Sequence, residues 1–276
     1  KWGYELFLRA MPIRTDAFSW ETTVNLDVPR SEVVELTGDV EAYPLGAQYW
    51  SLEIQARKGR PYGVLWGNGF LRNEKGQIIV DENGIPLIDP VKRELGNYNH
   101  DWGASWRNVL RYKDFDFSFL FDTRQGGEIF STTIWFNLYA GVSEETLQGR
   151  ENDYCDPGYL VPNSVHEDGT PNTTRVCPQD YFHSLFGNHE AGIFDASFIK
   201  LREATLGWNV PRSIVQRLGF NSARVALIGQ NLWLWTPKEQ PHIDPETLFD
   251  TGNRQGVEFG QFPTPRSIGF SVTIQP

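Results

Sequence analysis

Methionine and cysteine are nearly missing from this 276-residue chain, which holds one and two of them. Two cysteines are too few to staple a small disulfide-rich domain. The histidines His166, His183 and His189 show no paired spacing with the cysteines, which argues against a structural zinc centre. Positive charge is also scarce: 25 Lys and Arg stand against 35 Asp and Glu, for a formal net charge of −10. The longest basic cluster is Arg57-Lys58-Gly59-Arg60. Nucleic acid is therefore set aside, since nothing would displace counterions from a phosphate backbone. No apolar run approaches the roughly 20 residues of a membrane-spanning helix. The chain opens at Lys1 without a signal-like stretch, as a mature product or a fragment would. Catalytic signatures are missing too. There is no Gly-x-Ser-x-Gly elbow and no His-Glu-x-x-His helix, and Gly67-Asn68-Gly69 is too short for a phosphate loop.

What the chain has in quantity is rings. Ten Trp, ten Tyr and eighteen Phe make it 14% aromatic, a composition suited to carbohydrate-binding β-proteins and to the aromatic girdles of membrane barrels. A mean hydropathy of −0.43 is compatible with the second setting, because barrel strands alternate lipid-facing and lumen-facing residues.

Alternation with period two is the dominant pattern. Trp2, Tyr4, Leu6, Leu8 and Ala10 share one parity, with Glu5 and Arg9 between them and Phe7 as an intruder. Phe18, Trp20, Thr22, Val24, Leu26 and Val28 alternate with Ser19, Glu21, Thr23, Asn25 and Asp27. Trp102, Ala104, Trp106, Leu110 and Tyr112 oppose Gly103, Ser105, Arg107 and Arg111. Then Phe115, Phe117, Phe119 and Phe121 oppose Asp116, Ser118 and Asp122, after a tight turn at Lys113-Asp114. Ala204, Leu206, Trp208 and Val210, and later Ile268, Phe270, Val272 and Ile274, continue the scheme. The segment Arg224 to Trp235 is less regular and predicts a bulge near Gly229-Gln230-Asn231. A half-buried strand of a soluble sandwich reads the same way one strand at a time. A ladder of four Phe without branched aliphatics fits a lipid-facing wall better, and all four rings are expected to be exposed on the outer surface.

The connections alternate between short and long. Pro12 to Ala17, Lys113-Asp114 and Pro211 to Asn221 are brief, the last with one or two helical turns stopped by Gly219. Arg30 to Asn99, Arg124 to Asp195 and Thr236 to Thr264 are long. Short periplasmic turns and long extracellular loops are the habit of outer-membrane barrels. The predicted fold class is all-β: an antiparallel transmembrane barrel, contributing about seven spanning strands. Seven cannot close a single-chain bacterial barrel, so further strands are expected from upstream residues or from other chains.

Several segments resemble a known family. Asp195-Ala-Ser-Phe-Ile-Lys-Leu-Arg-Glu-Ala-Thr-Leu-Gly-Trp208 is similar to the near-terminal strand of SusC/RagA-type TonB-linked outer-membrane proteins of the Bacteroidota. Arg224 to Leu232, Asp244-Pro245-Glu246 and Pro263 to Phe270 follow in the family's order and spacing. Trp2 to Ile13, Phe18 to Leu36, Gly96 to Trp102 and Tyr112 to Phe115 fit as well. The resemblance implies that residues 1–276 are the C-terminal barrel segment of a TonB-dependent transporter of about 22 strands, its plug and N-terminal strands lying outside this sequence. It implies import of oligomeric nutrients, glycan or peptide, with a SusD-like surface lipoprotein as lid and TonB acting through the missing N-terminal part. Dimers of SusC–SusD pairs are one arrangement it allows. It implies no enzymatic activity and no cofactor. One departure is the end: the family closes on an aromatic residue, and here Pro276 holds that lipid-parity position. A structural barrel serving as a platform in a multi-protein outer-membrane complex remains the alternative.

Site candidates are few. Cys155 and Cys177, paired in number within one extracytoplasmic loop, are expected to form a disulfide, two free thiols being the alternative. Tyr49, Trp50, Tyr62, Trp66 and Phe70 lie in the first long loop, where rings stack on sugars or pack the loop against the barrel mouth. Tyr62, Trp66 and Phe70 are the substrate-binding candidates. Asn73 to Gly76 and Asp81 to Gly84 read as β-turns of a small meander and lack EF-hand spacing, so no metal is expected. Asp244 and Glu246 stand two apart as a glycosidase pair could, but in a loop with Pro241 and Pro245 they read as turn and solvent residues.

Overall fold

A computed structural model describes residues 1–46, 49–238 and 243–276; Pro241 lies outside them. Seven long strands form one antiparallel sheet in simple chain order. They are β1 (Trp2–Arg14), β2 (Phe18–Arg30), β3 (Trp102–Tyr112), β4 (Phe115–Gln125), β5 (Phe198–Asn209), β6 (Ser222–Trp235) and β7 (Ser267–Gln275). The alternation read from the sequence is the physical cause of this sheet, because its register places each strand's rings beside those of the next. Trp20 faces Leu110, Leu110 faces Phe117, Phe117 faces Leu206, Leu206 faces Leu227 and Leu227 faces Phe270. That is one unbroken apolar row across six strands.

β1 runs past Ala10 because Met11 and Pro12 bulge out, which lets Ile13 rejoin the register opposite Trp20. The β3–β4 turn is two residues, with Lys113 at φ 50°. The β5–β6 connection contains α3 (Arg212–Val215) and one 3₁₀ turn, capped by Gly219 at φ 82°. The expected irregularity in β6 is real: Asn231 adopts φ 51°, and Asn231 with Leu232 form the extra pair of a bulge.

The outer face carries the rings. Phe115 and Phe117 are 51% and 40% exposed, and among the described residues no second sheet meets them. Phe119 and Phe121 differ from the expectation of full exposure. Both are half-buried, because Trp106 lies against them with ring centroids at 5.6 and 6.4 Å. Trp102 and Tyr112 sit at opposite ends of β3 on that face. Asn108 shares the outer face, where Trp20 Nε1 donates to its Oδ1 at 2.8 Å and covers it. The inner face is polar and largely self-paired: Arg9 with Glu21, Arg224 with Asp116, and Asn25 with Ser105.

The buried core of the chain lies in the loops. The first holds a four-stranded sheet of Ala42–Pro44, Glu53–Arg57, Val64–Gly67 and Arg93–Asn97. Ile78–Val80 pairs in parallel with Ser164–His166 of the second loop. Glu128–Ser131 of the second loop pairs with Val257–Glu258 of the third. One apolar cluster draws Leu52, Ile54 and Leu65 from the first loop, Phe130 and Trp135 from the second, and Val257 from the third. The three loops are thus a single packed body. Within it, α1 (Thr132–Ala140) starts at Ser131, whose side chain accepts from the Ile134 N–H, and α2 (Pro178–Ser184) packs against α1. Cys155 is joined to Cys177, with Cα atoms 4.8 Å apart. Asn73 and Asp81 each cap a β-turn, their Oδ1 atoms accepting from the N–H two and four residues on.

Candidate functional site

A groove opens where the inner wall meets the loops. One part, about 300 Å³, is lined by Arg124 and Phe198 of the wall, by Tyr98 to His100 of the first loop, by Glu128 of the second, and by Pro245 and Leu248 of the third. A second part, about 370 Å³, shares Tyr98, Asn99 and Gln255 with the first and adds Arg30 and Tyr62. Arg124 and Phe198 face each other across β4 and β5 on the side that carries Asp122 and Lys200, which is the inner side.

The local sequence explains how these groups are held. Asn97 and Asn99 both donate from Nδ2 to the Tyr62 carbonyl, tying the end of the first loop to its middle. The Asn97 N–H donates to Glu128 Oε2 at 2.6 Å, and His100 Nε2 pairs with Asp27 Oδ2 at 2.8 Å. Burial raises the Glu128 carboxyl above its ordinary range; the Asn97 N–H opposes this, and Asp195, Asp101 and Glu94 add to it. Burial, with Tyr62 nearby, pushes the Tyr98 phenol up to about 12. Arg124 has no carboxylate partner among the described residues, although Lys200 and Arg202 of the neighbouring strand are both paired. The groove thus offers the guanidinium of Arg124, several amide and phenol groups and the rings of Tyr62 and Tyr98, while the buried Phe198 ring lies beneath Lys200 and Arg202 and closes the groove's base. That mixture suits an uncharged or mixed-charge polar oligomer better than an apolar molecule.

Asp244 and Glu246 do lie in a turn, closed by the Thr247 N–H on the Asp244 carbonyl at 2.9 Å, but they are not solvent residues, and that half of the sequence expectation is corrected here. Asp244 is 2% exposed. Its two carboxylate oxygens accept from Lys200 Nζ at 2.6 and 2.7 Å, and Glu246 accepts from the same nitrogen at 2.5 Å. Arg202 donates to Glu246 Oε1 at 2.6 Å and from Nε to Asp122 at 2.9 Å. The Thr264 N–H also reaches Asp244. Burial acts to raise both loop carboxyls, but the bonds from Lys200, Arg202 and Thr264 outweigh it and leave both below the ordinary carboxylate range.

The three ring candidates of the first loop do not converge. Tyr62 lines the groove. Trp66 lies under the Arg57 guanidinium, 3.8 Å from its ring centroid. Phe70 bridges to Ile88, and its N–H donates to Glu190 at 3.0 Å. Tyr49 is buried in the loop core, and Trp50 stacks on Phe259 at 5.3 Å and meets Phe136 edge-on. Packing thus accounts for four of the five. Sequence reading missed Tyr98, Arg124 and Phe198. Arg124 lies at a strand end with inner parity, the one signal that could have marked it; Phe198 shares the parity of the outer Ala204 and Leu206 and comes inside only through the extra residue at Arg202.

No family model matches the chain. It is similar over 99% of its length to curated proteins: TonB-dependent receptor P3 of Formosa agariphila at 23% identity, TonB-dependent receptor P26 of the same organism at 28%, and TonB-dependent receptor SusC of Bacteroides thetaiotaomicron at 20%. It spans only 28%, 29% and 26% of those proteins. Among solved structures it resembles the RagAB peptide importer in the closed-closed state, with TM-score 0.67 at 14% identity, and in the open-open state, with TM-score 0.68 at 13% identity. Each match covers 99% of this chain and 29% or 28% of the other. The chain is therefore similar throughout to TonB-dependent receptors of the SusC/RagA kind, and its fold is that of part of their antiparallel barrel.

Proposed function

We propose that residues 1–276 form the C-terminal barrel segment of an outer-membrane, TonB-dependent importer of oligomeric nutrients, glycan or peptide. The groove at the inner wall is its ligand contact in this segment. The observation carrying this reading is the coincidence of two things: likeness to TonB-dependent receptors along 99% of the chain, and a groove opening on the polar side of the spanning sheet. A ligand crossing an outer-membrane barrel travels along that side. The joined loops present a broad outer surface, suited to a SusD-like surface lipoprotein as lid. Energy would come from TonB through the part of the protein outside this chain, and pairs of such complexes would associate as dimers. The relatives are receptors and importers by name, which supports transport over catalysis.

The test is a deletion strain profiled for growth on a panel of oligosaccharides and oligopeptides, then complemented with the intact receptor or its Arg124→Ala and Tyr98→Ala variants. Loss of growth on one oligomer, restored by the wild type and weakened by either variant, is expected. Unchanged growth on every oligomer, or recovery of the protein in the soluble fraction, would contradict the reading.

A further inference from the structure

Lys200 is the buried cation of the described chain, at 2% exposure. Its position follows from a strand defect. Leu201 faces Phe121 and Glu203 faces Leu120, so Arg202 is an extra residue in β5 against β4. That bulge lets Lys200 and Arg202 both reach the inner side while Ala204, Leu206 and Trp208 still reach the outer one. The acids that meet them come from 44 residues further on, in the third loop. All three protons of the ammonium group are used: two bonds go to Asp244 and one to Glu246. A second attachment holds the other end of the loop. Glu258, 1% exposed, accepts from Ser131 Oγ at 2.7 Å and Thr133 Oγ1 at 2.5 Å at the start of α1.

Pro245, within the first attachment, and Leu248, between the two, form one side of the groove. A buried ionic network stabilises a fold no better than apolar groups of the same size would. What it does supply is a single position: two carboxylates can be buried only where Lys200 and Arg202 meet them. The attachment at Glu258 is made to a helix of the loop body itself, whereas the attachment at Lys200 is made to the wall.

We propose that Lys200, supported by Arg202, is a positioning residue of the groove: it clamps Asp244-Pro245-Glu246 to the inner wall, and this clamp is the point at which the third loop can part from the barrel. The proposal rests on the groove being the ligand contact. Its first test needs no ligand, so the two can fail separately.

Hydrogen exchange by mass spectrometry on the intact receptor in outer-membrane vesicles reads the clamp directly. Lys200→Met strands the buried Asp244 carboxylate and leaves Glu246 to Arg202 alone, and exchange across 243–264 is expected to rise by at least about tenfold while 198–209 and 222–235 stay as in the wild type. The triple variant Lys200→Met/Asp244→Asn/Glu246→Gln removes the stranded charge together with the clamp and is expected to keep exchange well above the wild type, though below Lys200→Met. Exchange of 243–264 within about twofold of wild type in Lys200→Met would overturn the proposal. So would a triple variant that exchanges as slowly as the wild type, which would trace the opening to the stranded charge and not to the lost clamp. If Lys200→Met does not assemble, Asp244→Asn/Glu246→Gln probes the clamp from the loop side, with the same rise expected. Uptake of the oligomer identified by the growth panel supplies a second readout. The concentration for half-maximal uptake should rise about tenfold at an unchanged maximum rate. A lower maximum rate that follows reduced surface receptor, with no change in that concentration, would assign Lys200 a structural role only.

Discussion

Placing a charge at Phe117 tests the face assignment, on which the barrel reading stands. Phe117 is 40% exposed on the outer side. It lies in the apolar row Trp20, Leu110, Phe117, Leu206, Leu227, Phe270. Its neighbour Ser118 faces Val109 and Thr205 on the opposite side. Arginine on a lipid-facing barrel position near the bilayer midplane costs about 2 to 4 kcal/mol. At about 1.4 kcal/mol per factor of ten, that is a shift of roughly 30- to 700-fold in the folding equilibrium. Ser118→Arg adds a cation to a wet inner wall near Arg107 and Arg111, a like-charge cost of well under about 1 kcal/mol after screening. The assay is urea-dependent folding of the intact barrel into lipid vesicles, comparing Phe117→Arg with Ser118→Arg. Equal costs for the two variants, or a cost below about 0.5 kcal/mol for Phe117→Arg, would show that hydrocarbon does not cover this face.

Three further outcomes are expected. Replacing Cys155 and Cys177 by Ser, which opens a sequence separation of 22 residues, should destabilise the loop body by about 3 kcal/mol in the chain-entropy model, read as protease sensitivity of 150–180. His189 joins two loops: its Nδ1 accepts from the Asn68 N–H at 3.0 Å and its Nε2 donates to the Trp50 carbonyl at 2.6 Å. Burial lowers its pKa below 6.5, with Lys92 adding to the effect and the Trp50 bond opposing it. The loop junction should therefore hold above about pH 6.5 and weaken progressively below it as the unfolded form takes up the proton first, and His189→Gln should flatten that dependence in a fluorescence titration of Trp50. Ser131→Ala, which removes the N-cap of α1 and one bond to the buried Glu258, should cost at least about 1 kcal/mol, seen as faster amide exchange at Ile134 with β1 to β7 unaffected.

The seven strands were legible because each side of a spanning sheet meets a different medium, and that difference is written into every second residue. Trp102 to Tyr112 needed no neighbour to be recognised, and neither did Phe115 to Phe121. Boundaries were less legible where a bulge resets the count. β1 continues to Arg14 only because Met11 and Pro12 step out of the ladder. The loop sheets were legible only locally. Ile78–Val80 reads as a run of the small meander between the turns at Asn73 and Asp81, but it also pairs in parallel with a strand more than 80 residues away, which no local pattern shows. The rings of the first loop misled for the same cause: composition shows that Trp66 is a ring, but only the fold shows that Arg57 covers it.

Asp244 shows what a parity argument can and cannot reach. In a loop between prolines, an acid reads as solvated because loops are usually wet. Its partner Lys200 sits on the inner side of β5, in a stretch where the next residues reverse parity. Counting back from Ala204, Leu206 and Trp208 on the outer face puts Lys200 outside as well, in lipid. Only the extra residue at Arg202 brings it inside. A lysine that parity assigns to hydrocarbon is too costly to stand, and that conflict was present in the sequence at Phe-Ile-Lys-Leu-Arg-Glu. Resolving it requires a bulge between Lys200 and Ala204, and a lysine turned inward at a barrel mouth then requires a carboxylate. Asp244-Pro245-Glu246 stands in the adjoining loop, in the segment that follows β6, the next strand beside β5. The wall, the bulge and the clamp are therefore one physical argument, and the side of the groove that Pro245 forms depends on each of its steps.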